Sequence, residues 1–321
     1  MSNKPILIVP CELNSVFFEI FFKVLKRKNF KIPLILICSS QNLKQQTEKL
    51  KFKKKIRAID INNINYKKID NKRLNVINVN LSKENKKILN NENIKDYYER
   101  CFSKAFELLK MGFAKKFLNG PINKKKILDK KFNGITEFIT DKFNQINTGM
   151  LIYNKKLSVS PLTTHLPLKL VSKNIKKNII QKRLKLINSF YKENFNFNPR
   201  IAVTGLNPHC ESNLKNNEDD TIIKPAIKKS KNNGIKVFGP FSADTIFLKQ
   251  NRKHFDVVLG MYHDQVLSPI KILYEYDAIN ITMGLPFLRV SPDHGPNERM
   301  VDKNLSNPLS VMRALEFLEK N

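Results

Sequence analysis

The chain of 321 residues has no tryptophan, ten glycines, five histidines and four cysteines. Cys11, Cys38, Cys101 and Cys210 stand far apart, and no Cys-x-x-Cys occurs. That spacing argues against a disulfide scaffold and against a cysteine zinc site. No apolar run approaches the roughly 18 residues of a spanning helix, so a helical membrane protein is excluded. The early run Ile6-Leu-Ile-Val9 is too short for a signal peptide's core and no cleavage site follows it. A reducing cytoplasm is the expected location. Acidic residues are scarce, 28 against 58 Lys plus Arg, which leaves a formal net charge of +30. Such a charge suits a nucleic-acid or anionic-surface partner. It also follows from AT-rich compositional drift, because Lys, Asn, Ile and Phe are all heavily used. The lysines are spread along the chain, and only Lys51–Arg57 and Lys124–Lys126 form runs. With no zinc-finger, RNP-type or KH-type pattern, drift is the better account, and neither nucleic acid nor membrane is expected as a partner.

What is present is enough for a sizeable core. Hydrophobic residues make up 41%, and the length suits two domains of about 150 residues each. Strand-like segments fall at 6–9, 33–38, 56–61, 74–79, around Val159, and at 200–204, 235–238, 256–261 and 278–282. Helical periodicity marks 16–25, 94–109, 178–191, 222–231 and 309–318. Asn93 is a candidate cap for the second of these helices, and Gly112 follows its end. Regular alternation predicts an α/β fold with helices on both faces of a sheet. The Lys/Asn-rich stretch 41–95 reads as solvated surface of the first domain. Gly120–Lys124 and Gly134–Phe138 read as tight loops between elements.

The histidines carry the chemistry. His165, His209 and His263 each lie a few residues past the C-terminal end of a predicted strand, the edge where α/β sheets bind ligands. Three imidazoles so placed could converge on one divalent ion and leave a position open for substrate. The rival reading is three ordinary loop histidines. His254, in a Lys/Arg-rich stretch, is expected to be exposed. Asn207, Asp264 and Gln265 flank the three, and Lys271, Asn280 and Arg289 follow. Arg289 comes after the apolar run Ile279–Leu288, where a charge needs a reason, and Arg can grip a phosphate or carboxylate with two bonds.

Eight blocks then fall in a familiar order. They are Gly120-Pro-Ile-Asn-Lys124, Gly134-x-Thr-Glu-Phe138, Thr163-Thr-His-Leu-Pro-Leu168, Gly205-Leu-Asn-Pro-His209, Gly239-Pro-x-x-Ala-Asp-Thr245, Met261-Tyr-His-Asp-Gln265, Asn280-Ile-Thr-x-Gly-Leu-Pro-Phe287 and Asp293-His-Gly295. Over about residues 93–321 the chain resembles the 4-hydroxythreonine-4-phosphate dehydrogenase family of pyridoxal phosphate biosynthesis; the first 90 residues match it poorly. The resemblance implies two α/β/α domains with a cleft between them, similar to isocitrate and isopropylmalate dehydrogenases. The first domain would span 1–132 plus about 278–321, and the second about 133–277. It implies a homodimer with a shared active site, a small phosphorylated substrate, NAD or NADP, and one divalent ion (zinc, magnesium or cobalt) on His165, His209 and His263. Thr136, Lys271, Asn280 and Arg289 match substrate contacts, Lys271 and Asp264 catalytic positions, and Asp244, His294 and Gly295 cofactor contacts. The implied reaction oxidises and decarboxylates 4-phosphohydroxy-L-threonine.

The departures from the family pattern are local. Ile135 stands where the family usually has histidine. The first loop reads Pro10-Cys-Glu-Leu-Asn-Ser-Val-Phe-Phe18 in place of a glycine-rich turn, and Pro296–Asp302 replaces a second small-residue stretch. The cofactor half of the site therefore looks altered. A sister dehydrogenase acting on 4-phosphothreonate stays open, as does a non-catalytic relative.

Overall fold

Strand β1 (Ile6–Val9), paired in parallel with β2 (Leu34–Cys38) and β5 (Lys116–Asn119), is buried at every position. An interior parallel strand has no solvent face, so its sequence is continuously apolar rather than alternating. The computed structural model describes residues 4–13, 15–61, 69–81, 91–122, 132, 134–211, 216–292, 295 and 297–321. They form two compact units, Met1–Ile139 with Pro286–Asn321, and Thr140–Leu285.

The first unit runs β1, α1 (Phe17–Arg27), β2, α2 (Ser40–Lys49), β3 (Ile56–Ala58), β4 (Leu74–Asn78), α3 (Asn91–Lys110), β5 and the start of α4 (Ile135–Lys142). The chain returns to it at the end with β12 (Leu288–Pro292) and α8 (Leu309–Lys320). Its strands run parallel in the order β3-β4-β2-β1-β5-β12. Helix α1 buries Phe17, Phe18, Phe21 and Phe22. Helix α3 buries Tyr97, Tyr98, Cys101, Phe102, Ala105 and Phe106, the spacing of one helical face. Two expectations are corrected here. Asn93 lies inside α3, which starts at Asn91, so it is not the cap. Gly134–Phe138 is not a loop: helix α4 begins at Ile135, directly after the glycine.

The second unit runs β6 (Gly149–Tyr153), β7 (Ser158–Pro161), α5 (Lys177–Phe195), β8 (Ile201–Thr204), α6 (Lys224–Asn232), β9 (Val237–Phe241), β10 (Val257–Gly260), α7 (His263–Tyr274) and β11 (Ile279–Met283). The strand order is β11-β6-β7-β10-β8-β9. Strands β7, β10, β8 and β9 are parallel, while β6 is antiparallel to both its neighbours. Ile152, Val159, Ala202, Val258, Val266 and Ile270 belong to one apolar cluster under this sheet. The mixed α/β class is as expected.

Candidate active site

Strands β7, β10 and β8 are consecutive and parallel, so their C-terminal ends form one edge of the second unit's sheet. His165 follows the end of β7, His263 follows β10 as the first residue of α7, and His209 follows β8. Hydrogen bonds continue past the ends of β7 and β10. Leu162 N donates to Gly260 O at 2.7 Å, and Thr163 donates to Met261 O from N (3.2 Å) and Oγ1 (2.8 Å). This zipper brings the His165 and His263 rings to a centroid separation of 6.2 Å. Two imidazoles on one tetrahedral ion, with metal–nitrogen distances of about 2.0–2.1 Å, would have centroids roughly 5 Å apart. The observed pair stands about 1 Å wider than that.

His263 Nδ1 is 2.7 Å from Asp264 Oδ1. An ionised carboxylate only accepts, so Nδ1 carries the proton and the Nε2 lone pair is left free to ligate. Gln265 ties the same corner to β8. Its Oε1 accepts from Thr204 Oγ1 and from Met261 N, both at 2.7 Å, and its Nε2 donates to Gly205 O at 2.8 Å.

The loop bearing His209 is held by Asp219, whose side chain is wholly buried. The carboxylate accepts from Leu206 N (2.8 Å), Asn207 N (3.1 Å) and Asn207 Nδ2 (2.8 Å). A Cβ on Gly205 would come within 2.6 Å of Asp219 Oδ1, so only glycine fits there. His209 and Cys210 both take left-handed backbone angles, φ 56° and 60°. Two such residues in succession are costly outside glycine and mark a constrained loop. Among the described residues no group of three or more His, Cys, Asp or Glu side chains is gathered closely enough to hold a metal ion. His165 and His263 are therefore brought together, while His209 lies on the same strand edge without closing the set.

Asp244 is exposed, and its carboxyl is held below the usual range, chiefly by the neighbouring Ser242 and more weakly by His209. Lys271 is half-buried two turns along α7. Asn280 sits in β11, and its buried Oδ1 has no hydrogen-bond partner among the described residues. A buried acceptor in that state is open to a ligand donor.

A second group lies in the first unit. Arg289, in β12, is wholly buried. Its Nε donates to Asn119 Oδ1 at 2.8 Å and its Nη1 to Thr136 Oγ1 at 3.3 Å. Burial lowers its pKa to about 10, with Cys11 and then Glu137 pulling the other way. It is still a cation at neutral pH. Thr136 and Arg289, far apart in sequence, are thus in contact. Asn119, which joins them, escaped notice because the short strand β5 ends in polar residues. Asp219 gave no signal at all, as it stands in an acidic triplet like any exposed one.

The first loop is fastened from within. Leu13 N donates to Tyr98 Oη at 2.6 Å, Tyr98 Oη donates to the buried Glu12 Oε1 at 3.1 Å, and Glu12 N donates to Pro121 O at 3.3 Å. Gly295 is exposed, and Asn297 precedes a 3₁₀ turn at Glu298–Met300. His294 lies outside the described residues.

Comparison with known proteins bears on these groups. The family model described as "Pyridoxal phosphate biosynthetic protein PdxA" matches residues 30–318. A 4-hydroxythreonine-4-phosphate dehydrogenase of Sulfurihydrogenibium sp. is 41% identical over 201 residues, 61% of this chain and 62% of that protein. A D-threonate 4-phosphate dehydrogenase of Pectobacterium atrosepticum is 35% identical over 203 residues, 62% of each. The alignments with these relatives thus span somewhat under two thirds of their length. The crystal structure of a 4-hydroxythreonine-4-phosphate dehydrogenase from Klebsiella pneumoniae superposes with a TM-score of 0.82 at 26% identity, covering 98% of both chains. A β-decarboxylating dehydrogenase from Thermococcus kodakarensis, 11% identical with a TM-score of 0.52, shares the fold alone.

Proposed function

The chain belongs to the PdxA family, and from that premise we propose that it oxidises and decarboxylates 4-phosphohydroxy-L-threonine to 3-amino-2-oxopropyl phosphate, using NAD and a divalent ion. The observation that carries this reading is the edge formed by β7, β10 and β8, three adjacent parallel strands each followed by a histidine within a few residues of its C-terminal end. The donor chemistry suits a metal: Asp264 fixes the His263 tautomer, and His165 stands beside it. Zinc, magnesium or cobalt held by His165, His209 and His263 would supply Lewis acidity, and NAD would accept the hydride.

The remaining work falls to the chain's own side chains. Arg289, braced by Asn119 and Thr136, grips the phosphate or carboxylate of the substrate. Lys271 adds a second cation, and Asn280 offers an acceptor to a substrate hydroxyl or amine. Asp264 orients His263 through Nδ1. Asp244, His294 and Gly295 are assigned to the cofactor. The first loop fits a dinucleotide poorly, because its Leu13 amide is taken by Tyr98 and the Glu12 carboxylate lies beside it. An anion-binding loop needs free amides and no carboxylate. The functional unit is a homodimer in the cytoplasm.

A second substrate is favoured by one residue. Ile135 stands beside Thr136 where the resemblance would place a histidine, and a relative named D-threonate 4-phosphate dehydrogenase matches over 203 residues. NADH formation measured with 4-phosphohydroxy-L-threonine and with D-threonate 4-phosphate, with and without added zinc or magnesium, tests the proposal. Metal-dependent turnover of the first is expected; turnover of the second alone would move the chain to the sister activity. Turnover of neither would leave a non-catalytic relative.

A further inference from the structure

In the first unit, the C-terminal end of α1, the loop before β3 and the residues leading into β4 line a groove of about 680 Å³. Seven of its nine lining residues are Lys or Arg, whereas the whole chain has 58 in 321. At the chain's own frequency fewer than two of nine would be cationic, so drift in composition does not account for the cluster. Four of the seven, Lys51, Lys53, Lys54 and Lys55, come from the run before β3, and three more join them from other segments. Lys26 comes from α1, and Lys72 and Arg73 from the approach to β4.

The floor is apolar and fixed. Phe52 is 8% exposed and stacks on Phe22 at 4.3 Å and 3°, with Lys26 Nζ 6.0 Å from the ring centroid. No acidic side chain lines the groove among the described residues. Asp70, two residues before Lys72, is engaged: its Oδ1 accepts from Arg57 Nη2 at 3.3 Å and from Lys72 N at 3.1 Å. Cations gathered this way repel one another, and a multivalent anion among them removes that cost. None of the residues assigned to the reaction lines the groove.

We propose that this groove binds a small molecule carrying a chain of phosphates, either a free oligophosphate or the tail of a nucleoside polyphosphate. Successive phosphates place several negative charges a few ångströms apart, which suits cationic side chains that line one groove from three segments. The volume lies within the roughly 300–1,000 Å³ of small-ligand pockets. A nucleic-acid track is less suited. It needs a basic stripe and aromatic faces open for stacking, and here the ring at the floor is already covered.

Calorimetry on the full chain at about 150 mM salt, where long-range attraction is screened, is the test. The probes are tripolyphosphate, ATP and a short single-stranded RNA. A groove variant (Lys53→Ala, Lys55→Ala, Arg73→Ala) is compared with a control of equal charge loss on α5 (Lys177→Ala, Lys182→Ala, Lys185→Ala), with far-UV circular dichroism checking that both fold. Saturable tripolyphosphate binding at one site per chain is expected, weakened about tenfold or more in the groove variant and within about twofold of wild type in the control. If ATP binds at least as tightly as tripolyphosphate, the source is a nucleoside polyphosphate; if not, it is a free oligophosphate. Three results would overturn the proposal: no saturable tripolyphosphate binding, equal losses in both variants, or RNA that displaces tripolyphosphate and binds more than tenfold tighter.

Discussion

Arg289 is a wholly buried guanidinium, and Asn119 and Thr136 accept hydrogen bonds from it. Its planar fork meets Asn119 on one side and Thr136 on the other. A lysine cannot reach both, so Arg289→Lys is expected to lower kcat/KM by about 10- to 100-fold, with the larger part in KM. Steady-state kinetics checks it, and an unchanged kcat/KM would remove Arg289 from substrate binding. Asp264→Asn is expected to weaken metal retention by about 10- to 100-fold, because the amide no longer holds the Nδ1 proton as firmly. Competition with a chelator reads this directly. The buried thiols give a pH effect. Burial pushes Cys101 up to about 12 and raises Cys11 and Cys38 as well. A raised folded-state pKa means the native state keeps its proton longer than the unfolded chain. The thiol's contribution is whole below about pH 9 and is lost as pH climbs toward 12, at no more than about 1.4 kcal/mol per pH unit for each proton. Denaturant unfolding of Cys101→Ala should therefore fall less steeply than wild type across that window. The comparison with wild type cancels lysine titration. Residue identities at the histidine edge were legible because histidine is rare in this chain and each stands after a recognisable strand. Asn119 and Asp219 were not, since their roles depend on a partner far away in sequence.

Elements position these groups through their ends. The histidine edge exists because β7, β10 and β8 are parallel neighbours, and because side chains fasten the loops beyond them. Arg183, on α5, is one such fastener. It donates to Pro161 O at 2.6 Å, the last residue of β7, and to Ser160 Oγ at 3.3 Å. A Cβ on Gly149 would come within 2.7 Å of its guanidinium, so a glycine in β6 makes its room. Arg183→Met should cost about 2–3 kcal/mol, since carbonyls that it satisfied are left buried. Asp219→Ala should cost a similar amount and free the loop carrying His209. Urea unfolding measures both; a loss below about 0.5 kcal/mol, the size of an ordinary surface change, would contradict these roles. The interior strands β1 and β2 were readable as continuous apolar runs. Strands β5, β6 and β12 were not, being four or five residues long and bounded or interrupted by polar positions such as Lys116 and Arg289. Helix α4 was hidden by the glycine before it, which reads as a turn although the helix starts one residue later.

At the scale of the whole molecule, the metal side and the cofactor side of the reading rest on different kinds of sequence. The histidine loops keep the family's blocks. The first loop, residues 10–18, carries no glycine, and its Leu13 amide is engaged by Tyr98. NAD is therefore expected to bind more weakly than low-micromolar, measured by calorimetry with metal and a substrate analogue present. Low-micromolar affinity would show that the loop changes are harmless, and no detectable binding would favour the non-catalytic relative. The surplus of positive charge does little for this at physiological salt, where screening sets in beyond about 8 Å. Metal content tests most directly whether His165, His209 and His263 together hold one divalent ion. After loading with zinc and gel filtration, the wild-type chain should retain one equivalent. Each of His165→Ala, His209→Ala and His263→Ala should retain almost none, because a three-ligand site tolerates little loss. Full occupancy in all three variants would contradict the account.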